Sequence, residues 1–479
     1  MSARSAAGRL ALVVAALAAA GALRGATAAA QAQPGSATPP LPRADVLACV
    51  RSLDEAAVRG LWPGFEPAAV PLALFDGENT ILRGHPSPPP EFSAVPGLAG
   101  VLMARGRHPA VTGNSTRELG GVRTATVIAV PGPPAQTMLA LAEEVFHVFW
   151  LARHTAFHPN EMARYAYPFE DPNNLRALLA EDEALARALA APSGSEVAGW
   201  AAAALAIRRA RVPALAEDVR AFEVALEMME GTANFVARIA AGEAPARTTE
   251  RLRRPRRAED IRWRFYDSGA ALCFVLDRLR PGWQARTERE PALSTAALLE
   301  SVLRDRAAEP AVFTAAESAS LLARTSADLA DLGRRREQVR RGMLERPGHR
   351  IVIELAAGAE PFRISRFDPI NLMVLAGGEV AHASHLTLES PQGTIDVSNP
   401  RFVRGSFDGT VSLTVPAGPH PLAGGVRQVT VVGIGAPPDV GGEAGTVAVD
   451  APGVRIRVRS AQARGDGELL RITVKGNQP

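Results

Sequence analysis

The stretch Leu139-Ala-Leu-Ala-Glu-Glu-Val-Phe-His-Val-Phe-Trp-Leu151 sets three proton-handling or metal-capable side chains in an otherwise apolar segment. At about 100° per residue, Met138, Leu141, Ala142, Val145, Phe146 and Phe149 share one wide face. Glu143, Glu144 and His147 gather on the other, with Glu143 and His147 four apart and therefore neighbours. Two carboxylates beside an imidazole are costly to dehydrate. On so apolar a helix they either line a cleft or bind a cation, the plain alternative being a partly exposed amphipathic helix.

A second segment has the same character. In Phe222-Glu-Val-Ala-Leu-Glu-Met-Met-Glu-Gly-Thr-Ala-Asn-Phe235, the residues Glu223, Glu227, Glu230 and Asn234 form one line along a helix. Phe222, Leu226, Met229 and Ala233 flank it on one side, and Val224, Met228 and Phe235 on the other. A solvated helix face is usually wide and mixed in sign, so a narrow acidic stripe between two apolar faces asks for a cation.

Three motifs carry a resemblance to a known family. Glu143-Glu-Val-Phe-His147 resembles the HExxH pattern of the gluzincin metallopeptidases: Glu144 and His147 match, and Glu143 stands in place of the first histidine. Glu230-Gly-Thr-Ala-Asn-Phe235 is similar to the EGxAxY segment of the aminopeptidase N group, and Tyr266-Asp-Ser-Gly-Ala-Ala-Leu272 to its YxxGAxxL segment. The three occur in the family's order and the likeness covers about 121–282, with a longer gap between the first two and no counterpart of the GxMEN segment.

The resemblance implies a metal held by His147 and Glu230, with Glu143 able to reach the same ion and Glu227 as the substitute for Glu230. It makes Glu144 the general base and Tyr266 the hydrogen-bond donor to the oxyanion. The implied activity is hydrolysis of a peptide bond, in a peptide or protein substrate, by metal-activated water. Zinc is the implied ion, but a second carboxylate shifts preference towards manganese or iron. A catalytically inactive homologue, acting as a binding or scaffold protein, is the other outcome, and it need hold no metal. Without the family's amino-terminal recognition segment, endo- and exopeptidase action are equally open.

The expected fold class is α+β: a mostly helical, zincin-like domain over 45–346 and an all-β sandwich or barrel over 347–479. Apolar runs at 70–75 and 79–82 read as strands, and the β-branched run 121–130 leads through Pro131-Gly-Pro-Pro134 into the Glu/His helix, starting near Gln136. Helical patterns then cover 174–191, 196–211, 214–242, 258–280, 295–306 and 315–343. From His349 onward the chain becomes short β-branched runs, at 351–355, 372–375, 386–388, 394–397, 411–415, 429–432, 454–458 and 470–474.

The remaining features bound the partners. Of 479 residues, 47% are hydrophobic and 22% charged, the balance of a globular chain of two or three domains. Net charge is only +3, and arginine replaces lysine almost throughout, Lys475 being the sole lysine. The densest basic run, 251–257, has no interleaved aromatics and reads as a solvated loop, not a nucleic-acid surface. Residues 1–32 read as a secretory signal, with Arg4 and Arg9, an apolar run and small residues near Ala30, followed by a disordered leader over 33–44. The mature chain is therefore expected to be secreted or periplasmic and off the membrane. Export permits a disulfide, leaving Cys49 and Cys273 either paired or as two buried thiols.

Other classes are weighed on the same residues. His154 and His158 read as capping or hydrogen-bonded histidines, with His154 also able to reach the groove if the helix persists. A di-iron carboxylate bundle needs a second helical ExxH, and the other one here, Glu379-Val-Ala-His382, falls among the strands. His382 and His385 read as ordinary core or surface histidines. An exported binding protein whose β domain does the recognising is the third class.

Overall fold

The computed structural model describes residues 42–129, 132–255, 257, 260–404, 406–443 and 445–476; the signal and most of the leader lie outside them. The fold is mixed α and β with three sheets, and the chain divides into two compact units, 1–160 with 173–322, and 161–172 with 323–479.

In the first unit, α1 (Ala44–Leu53) precedes six strands: β1 (Leu72–Phe75), β2 (Asn79–Arg83), β3 (Ser93–Ala94), β4 (Val101–Arg105), β5 (Ser115–Leu119) and β6 (Val122–Ile128). They lie in the order β3-β4-β2-β1-β6-β5, β1 running parallel to β6 and antiparallel to β2. The short β3 and β5 lack a continuous apolar run, whereas the Val-Leu-Met-Ala of β4 is one that the strands expected from the sequence did not include. After β6, Pro133 caps and Pro134 opens α2 (Pro134–Leu151), where a missing N–H and a fixed φ suit the first turn. This helix is apolar around most of its circumference and is accordingly buried. Its Phe146, Phe149 and Trp150 stack edge-on with Trp62 and Phe65 at 5.2–5.5 Å between centroids.

The helices that follow are α3 (Pro172–Ala190), α4 (Gly194–Arg211), α5 (Glu217–Leu226), α6 (Thr232–Ala240), α7 (Pro245–Arg253), α8 (Ile261–Leu279), α9 (Gln284–Arg289), α10 (Thr295–Asp305) and α11 (Ala315–Leu344). The single helix expected over 214–242 is interrupted by a π-helical turn, Glu227–Gly231, between α5 and α6. Two glycines meet there. A Cβ on Gly231 would lie 2.5 Å from Gly269 Cα, and one on Gly269 would lie 2.6 Å from Glu227 O, so the π turn and α8 touch backbone to backbone. Gly269→Ala is therefore expected to destabilise the protein by about 3 kcal/mol, the upper end for overpacking, because the opposing atoms are main chain and cannot rotate away. The readout is a lower urea midpoint at unchanged slope.

The second unit contains β7 (His349–Leu355), β8 (Arg363–Phe367), β9 (Leu372–Val374), β10 (Val380–His382), β11 (His385–Ser390), β12 (Gly393–Ser398), β13 (Val411–Pro416), β14 (Val426–Ile434), β15 (Asp439–Gly441), β16 (Thr446–Ala451), β17 (Val454–Arg459), β18 (Ala461–Asp466) and β19 (Leu469–Val474). These make two open sheets, β18-β19-β7-β14-β13-β10-β9 and β15-β16-β17-β12-β11-β8. In β17, Val454, Ile456 and Val458 are buried and Arg455, Arg457 and Arg459 exposed, so one face is covered and the other is wet.

The unit boundary falls inside α11, not at its end, because Val339, Met343 and Leu344 pack with Leu375, Ala381 and Leu413. The 161–172 segment also belongs here: Tyr165 Oη and Arg164 Nη2 donate to Pro369 O at 2.9 and 2.6 Å, and His420 Nε2 donates to Met162 O at 3.0 Å. Cys49 and Cys273 are free and buried, which settles their pairing in favour of two thiols.

Candidate metal centre

Glu143 and His147 face out of α2 one turn apart, and the π turn brings Glu230 to them from a separate part of the chain. One ligand atom from each of the three lies within 4.8 Å of the others, and His147 Nε2 is 3.0 Å from Glu230 Oε2. Donors at metal-bond lengths around a tetrahedral ion sit about 3.4 Å apart. The His147–Glu230 edge is thus already near that spacing, and only small side-chain rotations bring in Glu143. One imidazole and two carboxylates from rigid helices fit a divalent cation.

From α8, Arg262 and Tyr266 close over the same point, four residues apart and one turn before Gly269. Arg262 Nη2 donates to Glu230 Oε1 at 2.8 Å, and Nη1 donates to the Tyr266 hydroxyl, which in turn donates to Glu230. The charge arithmetic is informative. Glu143 and Glu230 bring two carboxylates to the site, and Arg262 sets one positive charge beside them.

Burial shapes the titration of every member. Dehydration acts against the imidazolium of His147, but Glu230, Glu144 and Glu143 outweigh it and push the group up to about 9. Dehydration raises Glu230 too, yet His147, Arg262 and Tyr266 bring it down to about 2. Glu144 has no comparable partner: burial lifts it to about 7, with His147 opposing and Glu143 and Glu230 assisting. Glu143 is likewise raised, by burial first. Burial, then Glu230, raises the Tyr266 phenol, which stays protonated and able to donate.

The rest of the acidic stripe finds its cation in arginine. Glu227 accepts from Arg208 at 2.6 and 2.7 Å and from Ser268 at 2.5 Å, and Glu223 accepts from Arg211 at 2.7 and 2.9 Å. This removes Glu227 as a substitute for Glu230, since both its oxygens are committed on the far side of the π turn. The network extends to Glu181 and Asp182 of α3 and Arg264 of α8. His154 is also elsewhere: α2 ends at Leu151, and the imidazole stacks on Trp150 at 3.7 Å and meets Glu288 at 2.9 Å. His158 is exposed, whereas His382 is buried in the second unit against Thr414 at 3.2 Å.

Sequence reading missed Arg262 and the buried arginines. The signal for Arg262 was its place four residues before Tyr266; for Arg264, an arginine two before Tyr266 within an apolar helix. Set against family models, curated proteins and solved structures, the chain finds no match in any of the three.

Proposed function

We propose that this protein is an exported, gluzincin-type metal-dependent hydrolase of peptide bonds, with Glu143, His147 and Glu230 as its ligand set. The observation that carries this reading is the convergence of Glu230 on His147 from a different helix, with Tyr266 joined to the same carboxylate. A divalent ion there would supply Lewis-acid polarisation of the scissile carbonyl and of the attacking water. Two carboxylates and one imidazole favour manganese or iron over zinc.

The chain's own residues do the rest. Glu144, whose carboxyl burial raises in the ion-free site, would take the proton from water and pass it to the departing amine nitrogen. Tyr266, whose hydroxyl donates to Glu230 in this structure, would turn that donation towards the oxygen that gains charge, with Arg262 donating to the phenol oxygen. Export rests on the signal-like 1–32 segment; among the described residues no helix is long and apolar enough to cross a membrane.

The second reading is a non-catalytic homologue that binds without cleaving. It is favoured by one observation: protonated His147 and Arg262 already neutralise Glu230 without any ion.

Calorimetric titration of metal-stripped protein with Mn²⁺ and Zn²⁺ at pH 7, in two buffers of different ionisation enthalpy, separates these readings. The hydrolase reading expects one ion per chain and release of at least one proton, because His147 must give up the proton it holds below about pH 9. It further expects His147→Gln to lose the ion, and Glu144→Gln to keep it while losing cleavage. A wild-type protein that binds no ion leaves only the non-catalytic reading.

A further inference from the structure

A cavity of about 510 Å³ opens beside the metal centre in the first unit, sharing Glu143 and Tyr266 with it. Its volume suits one or two residues of a bound peptide. The rest of its wall is rich in arginine: the 251–257 run, expected as a solvated loop, contributes Arg251, Arg254 and Arg257. Arg238 also lines it but is committed to Asp267 and to Thr248 at 2.6 Å, and Arg251 lies 3.7 Å from Glu243. Arg254 and Arg257 have no carboxylate partner among the described residues. Of the wall's acidic groups, Asp267 accepts from Arg238, Asp260 has an interaction of its own and Glu143 belongs to the proposed ligand set.

Trp263 completes the wall. Its indole is 56% exposed, unusual for so large an apolar group, and lies 5.0 Å from the Tyr266 ring. Two guanidiniums with no carboxylate partner among the described residues, and a half-exposed indole with Arg262 5.8 Å from its ring centre, beside the proposed hydrolytic centre, describe a receptor for a carboxylate on a short carbon chain.

We infer that this cavity is a substrate subsite selective for carboxylate-bearing peptides, with Arg254 and Arg257 binding the carboxylate and Trp263 covering the carbon chain that carries it. The inference rests on the hydrolase reading for its peptide partner. The carboxylate has two sources, an Asp or Glu side chain or the peptide's own C-terminus.

The test uses mature, metal-stripped protein, so that binding is read without turnover, and follows intrinsic tryptophan fluorescence, to which Trp263 and four other indoles contribute. Acetylated, amidated pentapeptides with a central Glu or Gln are titrated beside the Gln peptide with a free C-terminus. At least one carboxylate peptide is expected to bind about 10-fold or more tightly than the neutral one, and which of them gains identifies the source. The preference disappears in an Arg254→Gln/Arg257→Gln double variant, whose folding is checked by circular dichroism. Trp263→Phe is expected to diminish the fluorescence change on binding, the other four tryptophans remaining, and calorimetry then reads the affinity.

Equal affinity for all three peptides, or competition by inorganic phosphate alone, overturns the subsite. Cleavage by the metal-loaded protein is scored separately. Cleavage without charge preference overturns the subsite and spares the hydrolase, whereas charge-selective binding without cleavage overturns only the hydrolase.

Discussion

Glu143→His is expected to tighten zinc binding by at least about 10-fold and to increase peptide cleavage, because it converts the ligand set to the two imidazoles and one carboxylate typical of catalytic zinc. The position permits it: Glu143 sits one turn before His147 on a helix whose backbone the surrounding aromatics hold rigid. Removing one negative charge also makes an activated water a better acid, which favours the reaction as well as the ion. Competition against a chromophoric chelator measures the first effect and peptide turnover the second. If zinc affinity does not move, Glu143 is not a ligand and the three side chains meet for another reason. Manganese is the useful control, since exchange of carboxylate for imidazole should benefit it less than zinc.

The largest effect on stability is expected from Glu181→Gln. Glu181 is 1% exposed and has three guanidiniums around it: Arg208 at 2.5 Å, Arg264 at 3.1 Å and Arg211 at 3.4 Å. Glutamine keeps the shape but removes the charge, leaving three buried cations with less to face. Breaking one partner from such a network costs about 3–5 kcal/mol, seen as a large fall in the urea midpoint. Burial opposes ionisation of Glu181, but the three arginines override it and hold the carboxyl far below the ordinary range. A depressed folded value means that the stabilisation is present above the unfolded value near 4.3 and fades only as pH falls beneath it. The gap between wild type and variant should therefore stay level from about pH 5 to 8 and narrow in acid. Metal affinity should fall too, since Arg208 joins Glu181 to Glu227, and Glu227 opens the turn that presents Glu230.

Local pattern revealed much of this molecule and missed what depends on distant partners. The apolar face of α2, the helix-rich middle and the β-branched runs after His349 are periodic features, and periodicity survives without tertiary context. Glu223, Glu227 and Glu230 were recognisable as acids wanting a cation, but not which cation each would find. Arg208 lies 19 residues from Glu227 and Arg211 lies 12 from Glu223, both on another helix, and only packing directs them there while Glu230 turns to His147. The π turn was equally hidden. At that turn Gly231 meets Gly269 backbone to backbone, a fact about two helices that neither segment contains alone.

The route of the chain limits how the molecule can be cut. Shortly after α2 it leaves the first unit for the 161–172 segment of the second, then returns for α3. Severing everything beyond α11 would take Pro369 O from Tyr165 and Arg164, and would remove the imidazole of His420 from Met162 O. A stub of orphaned donors and acceptors would then follow α2 in sequence, before the rest of the first unit. The two units are thus interleaved in sequence, so gene truncation is a poor way to isolate the unit that contains Glu143, His147 and Glu230.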